Sequence, residues 1–139
     1  MSRVAVLLET RLNPAFPLSR RELKALCETL LDALRIESGD VTVKLVGDAE
    51  IARLNSEFMG CVGPTNILSF PAEDEALGEL ALSVETMARE ADLYGQEPFE
   101  HLARLLAHGL LHLAGHDHGA EMFALTDAAV DAALLKRRS

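Results

Sequence analysis

The sequence has little from which an aromatic core, a disulfide framework or a membrane segment could be built. Its 139 residues include no tryptophan, one tyrosine and five phenylalanines, so a core must consist mainly of leucine, valine and alanine. The two cysteines, Cys27 and Cys61, do not make a disulfide framework, and the sequence contains no Cys-x-x-Cys motif. No apolar run is long enough to cross a membrane, and the run over residues 4–8 is too short for a signal peptide. We therefore expect a cytoplasmic protein without a membrane partner.

Positive charge is also scarce. The 13 lysines and arginines are outnumbered by 22 aspartates and glutamates, which gives a formal net charge of −9. This balance excludes a uniformly basic nucleic-acid-binding surface. Small basic clusters occur at Arg20, Arg21 and Lys24 and at residues 136–138. They leave a local basic patch open, and we interpret them as solvated charges. The length and the 49% hydrophobic fraction predict one globular domain over residues 1–139.

The hydrophobic pattern predicts the element order β α β α β β α α α. Alternating or short apolar runs indicate strands, and apolar residues repeating at three and four positions indicate helices. The predicted strands cover residues 4–9, 41–45, 66–70 and 80–83. The predicted helices begin at residues 19 and 48 and then cover residues 84–94, 98–115 and 120–136. The fold class is therefore α+β, with a small mixed four-stranded sheet packed with about five helices.

Local signals refine these elements. The strand at 4–9 is apolar on both faces, which predicts a strand covered on both sides. Ser19 is followed by Glu22 three residues later, the spacing of a capping box at a helix start. Asp48 is predicted to cap the second helix, and Phe58 is predicted to face inward from that helix.

All five histidines fall between residues 101 and 118. His108 and His112 lie about 40° apart on a helix and about 6 Å apart along its axis, so both rings can converge on one ion. Gly115 can adopt a left-handed conformation and turn the chain so that His118 reaches the same ion. Three histidines with one open position are typical of a catalytic zinc site, and they also suit nickel, copper and iron. The alternative is a solvated helix face followed by a polar turn.

The remaining residues of this segment have other predicted roles. His101 lies about 10 Å from His108 along the axis, so we interpret it as a surface or cleft-rim neighbour. His116 is a candidate substrate contact. Asp117 either orients a ligand imidazole or caps the last helix. Position 109 is glycine, where metallopeptidases with the same histidine spacing carry their glutamate base, so peptide hydrolysis by that route is excluded.

These residues resemble the YbeY family of bacterial endoribonucleases. Residues 108–118 match the family signature H-G-x-L-H-L-x-G-x-D-H, and residues 64–71 resemble its P-T-[DN]-V-L-S-F-P motif. Leu54-Asn55 upstream, and Gly78-Glu79-Leu80 followed by Ser83, resemble two further family segments. The resemblance covers about residues 40–135.

The resemblance implies a zinc-dependent single-strand endoribonuclease. It implies a role in maturing the 3′ end of 16S ribosomal RNA and in ribosome quality control. The implied ligands of one Zn²⁺ are His108, His112 and His118, in a cleft on the histidine helix. The implied partners are ribosomal RNA in the small subunit and a ribosomal protein or assembly factor.

Two positions depart from the family pattern. Met59 stands where the family usually has an arginine that helps to hold phosphate, and a thioether supplies neither its charge nor its donors. His116 stands where the family commonly has tyrosine. A histidine there could stack on a base, carry a proton, or replace the missing cation when protonated.

The predicted reaction is attack of metal-activated water on a phosphodiester. His116 and Asp117 are the candidate catalytic residues beside the metal, and Glu79 is a further candidate base. Asn66 and Ser69 are candidate substrate-binding residues. Two other functions stay open at this point: a metallohydrolase that acts on a non-RNA substrate, and a non-catalytic ribosome-assembly protein with a structural metal.

Overall fold

The computed structural model describes residues 3–11, 16–116 and 119–138. Their order confirms the predicted alternation of strands and helices. The elements are β1 Val4–Leu8, α1 Arg20–Ala33, β2 Val41–Val46, α2 Asp48–Met59, β3 Ile67–Pro71, β4 Gly78–Ser83, α3 Val84–Leu93, α4 Pro98–Leu113 and α5 Ala120–Arg138. Across these ranges, no helix combines the length and the apolar character that crossing a bilayer would require.

The four strands form one mixed sheet in the order β1-β2-β4-β3, which confirms the predicted fold class. β1 pairs with β2 and β2 pairs with β4 in parallel, whereas β3 and β4 form an antiparallel hairpin. The acidic residues 73–75 lie exposed in the hairpin connection, as their composition predicts. The parallel pairs need helical crossovers, and α1 and α2 lie in those connections.

The main core lies on one face of the sheet. Side chains of β1, β2 and β4 pack there against α1 and α4, and α5 packs outside these two helices. α2 covers part of the opposite face, where Ile51 joins a smaller cluster with Val46, Leu68 and Ala81. Cys27 is fully buried in the main core, and this burial, with a smaller effect of the Glu28 charge, raises the pKa of its thiol to about 12. Leucine, valine and alanine supply most of the core, as expected.

β1 is covered on one face only, so the prediction of a strand covered on both sides was wrong. Val4 and Val6 point into the main core and are 3% exposed. Ala5 and Leu7 point to the opposite face and are exposed. The physical reason is that α2 packs on β3 and β4, toward the sheet edge opposite β1, and therefore does not cover β1.

The start of α1 confirms the predicted capping box. The Ser19 hydroxyl accepts a hydrogen bond from the Glu22 amide at 3.2 Å, and the Glu22 carboxylate accepts one from the Ser19 amide at 2.9 Å. Hydrogen bonds to the Glu22 carboxylate from the Ser19 amide, and to a lesser extent from the Ser19 side chain, hold the pKa of Glu22 below its usual value. The local sequence alone was sufficient for this prediction because both partners lie within one helical turn.

Two predictions for α2 were wrong. Gly47 is the cap residue and Asp48 is the first helical residue, whose amide donates to the Glu85 carboxylate at 2.8 Å. A side chain from α3 therefore does the capping that was predicted for Asp48. Phe58 is 58% exposed rather than inward, and its ring packs edge-to-face on Phe70 with a centroid distance of 5.4 Å.

Candidate functional site

The histidine helix α4 runs through the middle of the protein. Pro98 is its first residue, where proline fits the helix geometry and its missing amide costs no hydrogen bond. The helix packs against α1, α3, α5, β3 and β4, and eleven of its 16 residues are buried. His108 and His112 lie half-buried in its last two turns. A helix held on so many sides fixes the directions of these two side chains.

His108 and His112 are brought together by their four-residue spacing. Their Nε2 atoms are 3.1 Å apart, and their rings meet edge-to-face with a centroid distance of 4.6 Å. Two nitrogens this close either share a proton or direct their lone pairs at one cation. Two imidazoles on a tetrahedral zinc are separated by about 3.3 Å, as bonds of about 2.0–2.1 Å require. The donor type and the spacing of the pair therefore fit zinc.

The third predicted ligand, His118, lies outside the residues that the structure describes, and so does Asp117. Within the described ranges, no group of three histidine, cysteine or acidic side chains has the arrangement of a metal site. The described part of the candidate site is thus the His108–His112 pair and the turn that follows it.

That turn has the geometry predicted from Gly115. Gly115 has a φ of +93°, in the left-handed region that favours glycine. Its amide donates to the His112 carbonyl at 3.0 Å, and the His116 amide donates to the Leu111 carbonyl at 3.0 Å. These two bonds are the Schellman pattern, which ends a helix and reverses the chain direction. His116 follows directly and is half-buried.

Gly109 sets the distance between α4 and the sheet. A Cβ atom added at this position would lie 2.9 Å from Leu80 Cδ2 and 3.0 Å from Ile67 Cδ1, closer than side chains normally approach. The Ser69 hydroxyl also donates to the Gly109 carbonyl at 3.3 Å. Position 109 faces the sheet, so a glutamate base would not fit there. A glycine inside a helical pattern was the sequence signal for this contact.

His101 is part of a buried polar network, so its interpretation as a surface or rim residue was wrong. It is 9% exposed, and its Nε2 lies 3.1 Å from Oε1 of Glu90. The Asn66 side-chain amide donates to both oxygens of the same carboxylate, at 3.1 and 3.3 Å. The Asn66 side-chain oxygen accepts from the Ile67 amide at 2.7 Å. Glu90 thus ties α3 and α4 to the start of β3, a role that no sequence pattern indicated.

Glu79 lies on the wrong face of the sheet for the role of general base. Successive side chains of a strand point to opposite faces, and its neighbour Leu80 points at Gly109 of α4. Glu79 is exposed on the other face, where it pairs with Lys44 at 3.6 Å and lines a groove with Phe58 and Phe70. The proposal of Glu79 as a base was therefore wrong.

Met59 is the last residue of α2 and is 45% exposed. Gly60 follows with a φ of +66° and ends the helix. The phosphate-binding arginine usual in the resembled family is thus replaced by an exposed apolar side chain at a helix end.

Known proteins of similar sequence share one family description. A family model described as Endoribonuclease YbeY matches residues 13–133. The Endoribonuclease YbeY of Oleidesulfovibrio alaskensis is 41% identical over 155 residues, with 94% of this chain and 92% of that protein covered. That of Nitratidesulfovibrio vulgaris is 42% identical over 159 residues, with 99% and 98% covered.

A solved structure shares the fold of this chain. The solution structure of TM1509 from Thermotoga maritima matches with a TM-score of 0.72 and 28% sequence identity, covering 97% of this chain and 91% of that one. Together with the close histidine pair on α4, the matches over nearly the whole length lead to one conclusion: the chain belongs to the YbeY family of endoribonucleases.

Proposed function

We propose that the protein is a zinc-dependent endoribonuclease that cleaves single-stranded RNA. We propose further that it matures the 3′ end of 16S ribosomal RNA and acts in ribosome quality control in the cytoplasm. The observation that carries the zinc dependence is the His108–His112 pair, whose Nε2 atoms lie 3.1 Å apart on a helix held on several sides. His118 is the proposed third ligand. The proposed partners of the protein are the small ribosomal subunit and a ribosomal protein or assembly factor.

Zinc bound by three imidazoles lowers the pKa of a water molecule toward about 7 and polarises a phosphoryl oxygen. The chain contributes rigidity to this chemistry. Neutral imidazoles must present their Nε2 lone pairs in one direction, and the packing of α4 on β3 and β4 holds both rings in place. The turn at Gly115 determines where the chain after α4 runs.

His116 and Asp117 are the proposed residues for proton transfer. His116 follows the left-handed Gly115 and is half-buried, so its ring lies near the end of α4 that carries the histidine pair. An imidazole titrates in the range in which a catalytic acid or base works at neutral pH. Asp117 is the proposed partner that orients an imidazole by accepting a hydrogen bond from it.

Asn66 and Ser69 are proposed to act by positioning. The Ser69 hydroxyl is bonded to Gly109 of α4, and the Asn66 amide is bonded to Glu90 of α3. The Ser69 contact holds β3 against the histidine helix α4, and the Asn66 contact holds the start of β3 against α3. Direct contact of either residue with RNA stays a prediction.

The proposal is tested by single-turnover cleavage of an RNA that contains the 3′ end of 16S ribosomal RNA. We expect His112→Ala to lower the rate at least about a hundredfold, because one of three ligands is lost. His101→Gln is the matched control, since it alters a histidine of the same helix that bonds to Glu90 instead. We expect this control to cleave at nearly the rate of the unmodified protein once folding is verified. Cleavage that persists in His112→Ala would contradict the proposal.

A second experiment addresses the ribosomal substrate. Cells that lack the protein should accumulate small-subunit RNA with an extended 3′ end, and the gene for the unmodified protein should restore the mature end. RNA with a normal 3′ end in such cells would contradict the 16S role while leaving endoribonuclease activity intact.

A further inference from the structure

The start of α1 carries three cations that have no carboxylate partner among the described residues. Arg20, Arg21 and Lys24 are all exposed, and none forms an ion pair within the described parts of the chain. Among the described residues, five of the thirteen lysines and arginines pair with carboxylates: these are Lys44, Arg53, Arg89, Arg104 and Arg137. In a chain with 22 acidic residues, a group of three unpaired cations needs an explanation.

Helix stability does not provide that explanation. The amino end of a helix carries a partial positive charge, so cations in the first turns are unfavourable there. Arg20 and Arg21 are the first two residues of α1, and Lys24 lies one turn later. Glu22 is the acidic residue in the first turn. The cluster therefore breaks a local rule without a visible gain in stability, which is typical of residues kept for function.

A second group of cations lies on the other side of α1. Arg20, Arg21 and Lys24 line a groove with residues 4–7 of β1. Across α1, Lys136 and Arg137 of α5 line a second groove that also contains Glu22 and Phe99. Arg138 follows at the end of α5 and is exposed. We call these residues the α1 basic surface; its cations are Arg20, Arg21, Lys24, Lys136, Arg137 and Arg138.

The α1 basic surface lies away from the histidine pair. Arg137 stacks over the Phe99 ring at 4.1 Å, near the amino end of α4. His112 lies 13 residues further along the same helix, which corresponds to about 20 Å. A ligand held at this surface would thus contact parts of a substrate remote from the bond that is cleaved.

We propose that the α1 basic surface binds the phosphate backbone of the RNA substrate outside the cleavage site. The inference rests on the proposed function, and it explains how a chain of net charge −9 holds a polyanion. Phe99, the aromatic ring that lines the second groove, is buried. Base stacking is therefore unavailable there, and binding is independent of RNA sequence. The α1 basic surface also supplies the positive charge that Met59 does not provide.

The test measures RNA binding separately from cleavage. The variant Arg20→Gln/Arg21→Gln/Lys24→Gln is compared with Arg35→Gln/Lys44→Gln/Arg53→Gln, which removes the same charge at positions outside the surface. Binding of a single-stranded RNA of about 20 nucleotides is measured over a range of salt concentrations, with metal-free protein so that no cleavage occurs. The slope of log affinity against log salt concentration is negative, and the loss of three phosphate contacts should reduce its magnitude by about 2. Affinity should fall about tenfold or more. The control should keep the slope of the unmodified protein.

Cleavage provides an independent readout. RNA substrates too short to reach the α1 basic surface should be cleaved equally by both variants and by the unmodified protein. A long RNA should show a raised KM with unchanged kcat only in the variant that lacks Arg20, Arg21 and Lys24. Unchanged affinity and salt slope in the first variant would overturn the inference even where RNA is cleaved. Absence of cleavage by the unmodified protein, with the binding difference intact, would instead overturn the proposed function.

A decaglutamate peptide serves as a second probe of the α1 basic surface. Loss of peptide binding in the first variant, without loss of RNA binding, would assign the surface to an acidic protein and overturn the inference.

Discussion

Gly109 lies against Leu80 so closely that a single added carbon atom would stand 2.9 Å from the leucine methyl group. Gly109 follows His108 directly, so the contact that seats α4 on the sheet also sets the position of a proposed ligand. The hydrogen bond from Ser69 to the Gly109 carbonyl reinforces the same junction. The glycine of the histidine motif is therefore explained by packing.

Gly109→Val should destabilise the protein and impair cleavage. The three added carbon atoms of the valine side chain would overpack the junction with Leu80 and Ile67, which costs about 1–3 kcal/mol in the free energy of unfolding. Denaturant unfolding measures this cost. Ala128→Val, at an exposed position of α5, is the control for β-branching alone and should cost less than about 0.7 kcal/mol. Equal costs for the two variants would show that Gly109 has no special contact.

Gly115→Ala should lower both stability and zinc affinity. Alanine at a φ of +93° is strained by about 1 kcal/mol or more, and relief of that strain would redirect the chain that leads to His118. Zinc competition with a chromophoric chelator measures the affinity. Gly95→Ala is a matched control, because Gly95 ends α3 with the same pair of hydrogen bonds. It should lose similar stability and keep its zinc affinity; a parallel loss of affinity in both variants would refute a local role for Gly115.

Glu90→Ala should cost about 1–3 kcal/mol in unfolding free energy. The substitution leaves the Asn66 amide and the His101 ring without their shared acceptor in a partly buried site. Glu90→Gln retains an acceptor and should lose less. Asp92→Ala, at an exposed position of the same helix, should be close to neutral. Chemical denaturation that ranks Asp92→Ala as equally damaging would exclude the proposed network.

Asp48 should make the stability of the protein dependent on acid pH. Burial on its own would raise the pKa of Asp48, but hydrogen bonds from Arg89, Thr86 and Ser83, with the charge of Arg89, outweigh it and hold the pKa below its ordinary value of 3.8. The ionised carboxylate therefore stabilises the fold fully above about pH 3.8, and this stabilisation is lost as the pH falls through the lower pKa of the folded state.

Asp48→Asn removes this dependence. The variant should be less stable than the unmodified protein near neutral pH by about 1–3 kcal/mol, and the difference should shrink below about pH 3.8. Urea unfolding at several pH values measures the difference, with Asp131→Asn of α5 as an exposed control. A difference that stays constant down to strongly acid pH would contradict the predicted linkage.

Features of the fold that depend on neighbours in sequence were predictable. The capping box at Ser19, the convergence of His108 and His112 and the left-handed turn at Gly115 each involve residues within about six positions of one another. Such short-range patterns are determined by helix geometry alone. The order of strands and helices followed from hydrophobic periodicity in the same way.

Features that depend on tertiary partners were not predictable. His101 acquires its partner from α3, and Asp48 receives hydrogen bonds from the end of β4 and from α3. The exposed face of β1 results from the placement of α2 on the far strands. In each case an apolar or charged residue has several compatible environments, and only the arrangement of the whole sheet selects one.

The most direct test of the central claim is a zinc titration of metal-free protein during cleavage of a single-stranded RNA. We expect cleavage to be absent without metal and to rise until one zinc ion is bound per chain. His108→Ala and His112→Ala should abolish both tight zinc binding and cleavage. Cleavage at full rate by metal-free protein, or by either histidine variant, would contradict the central claim.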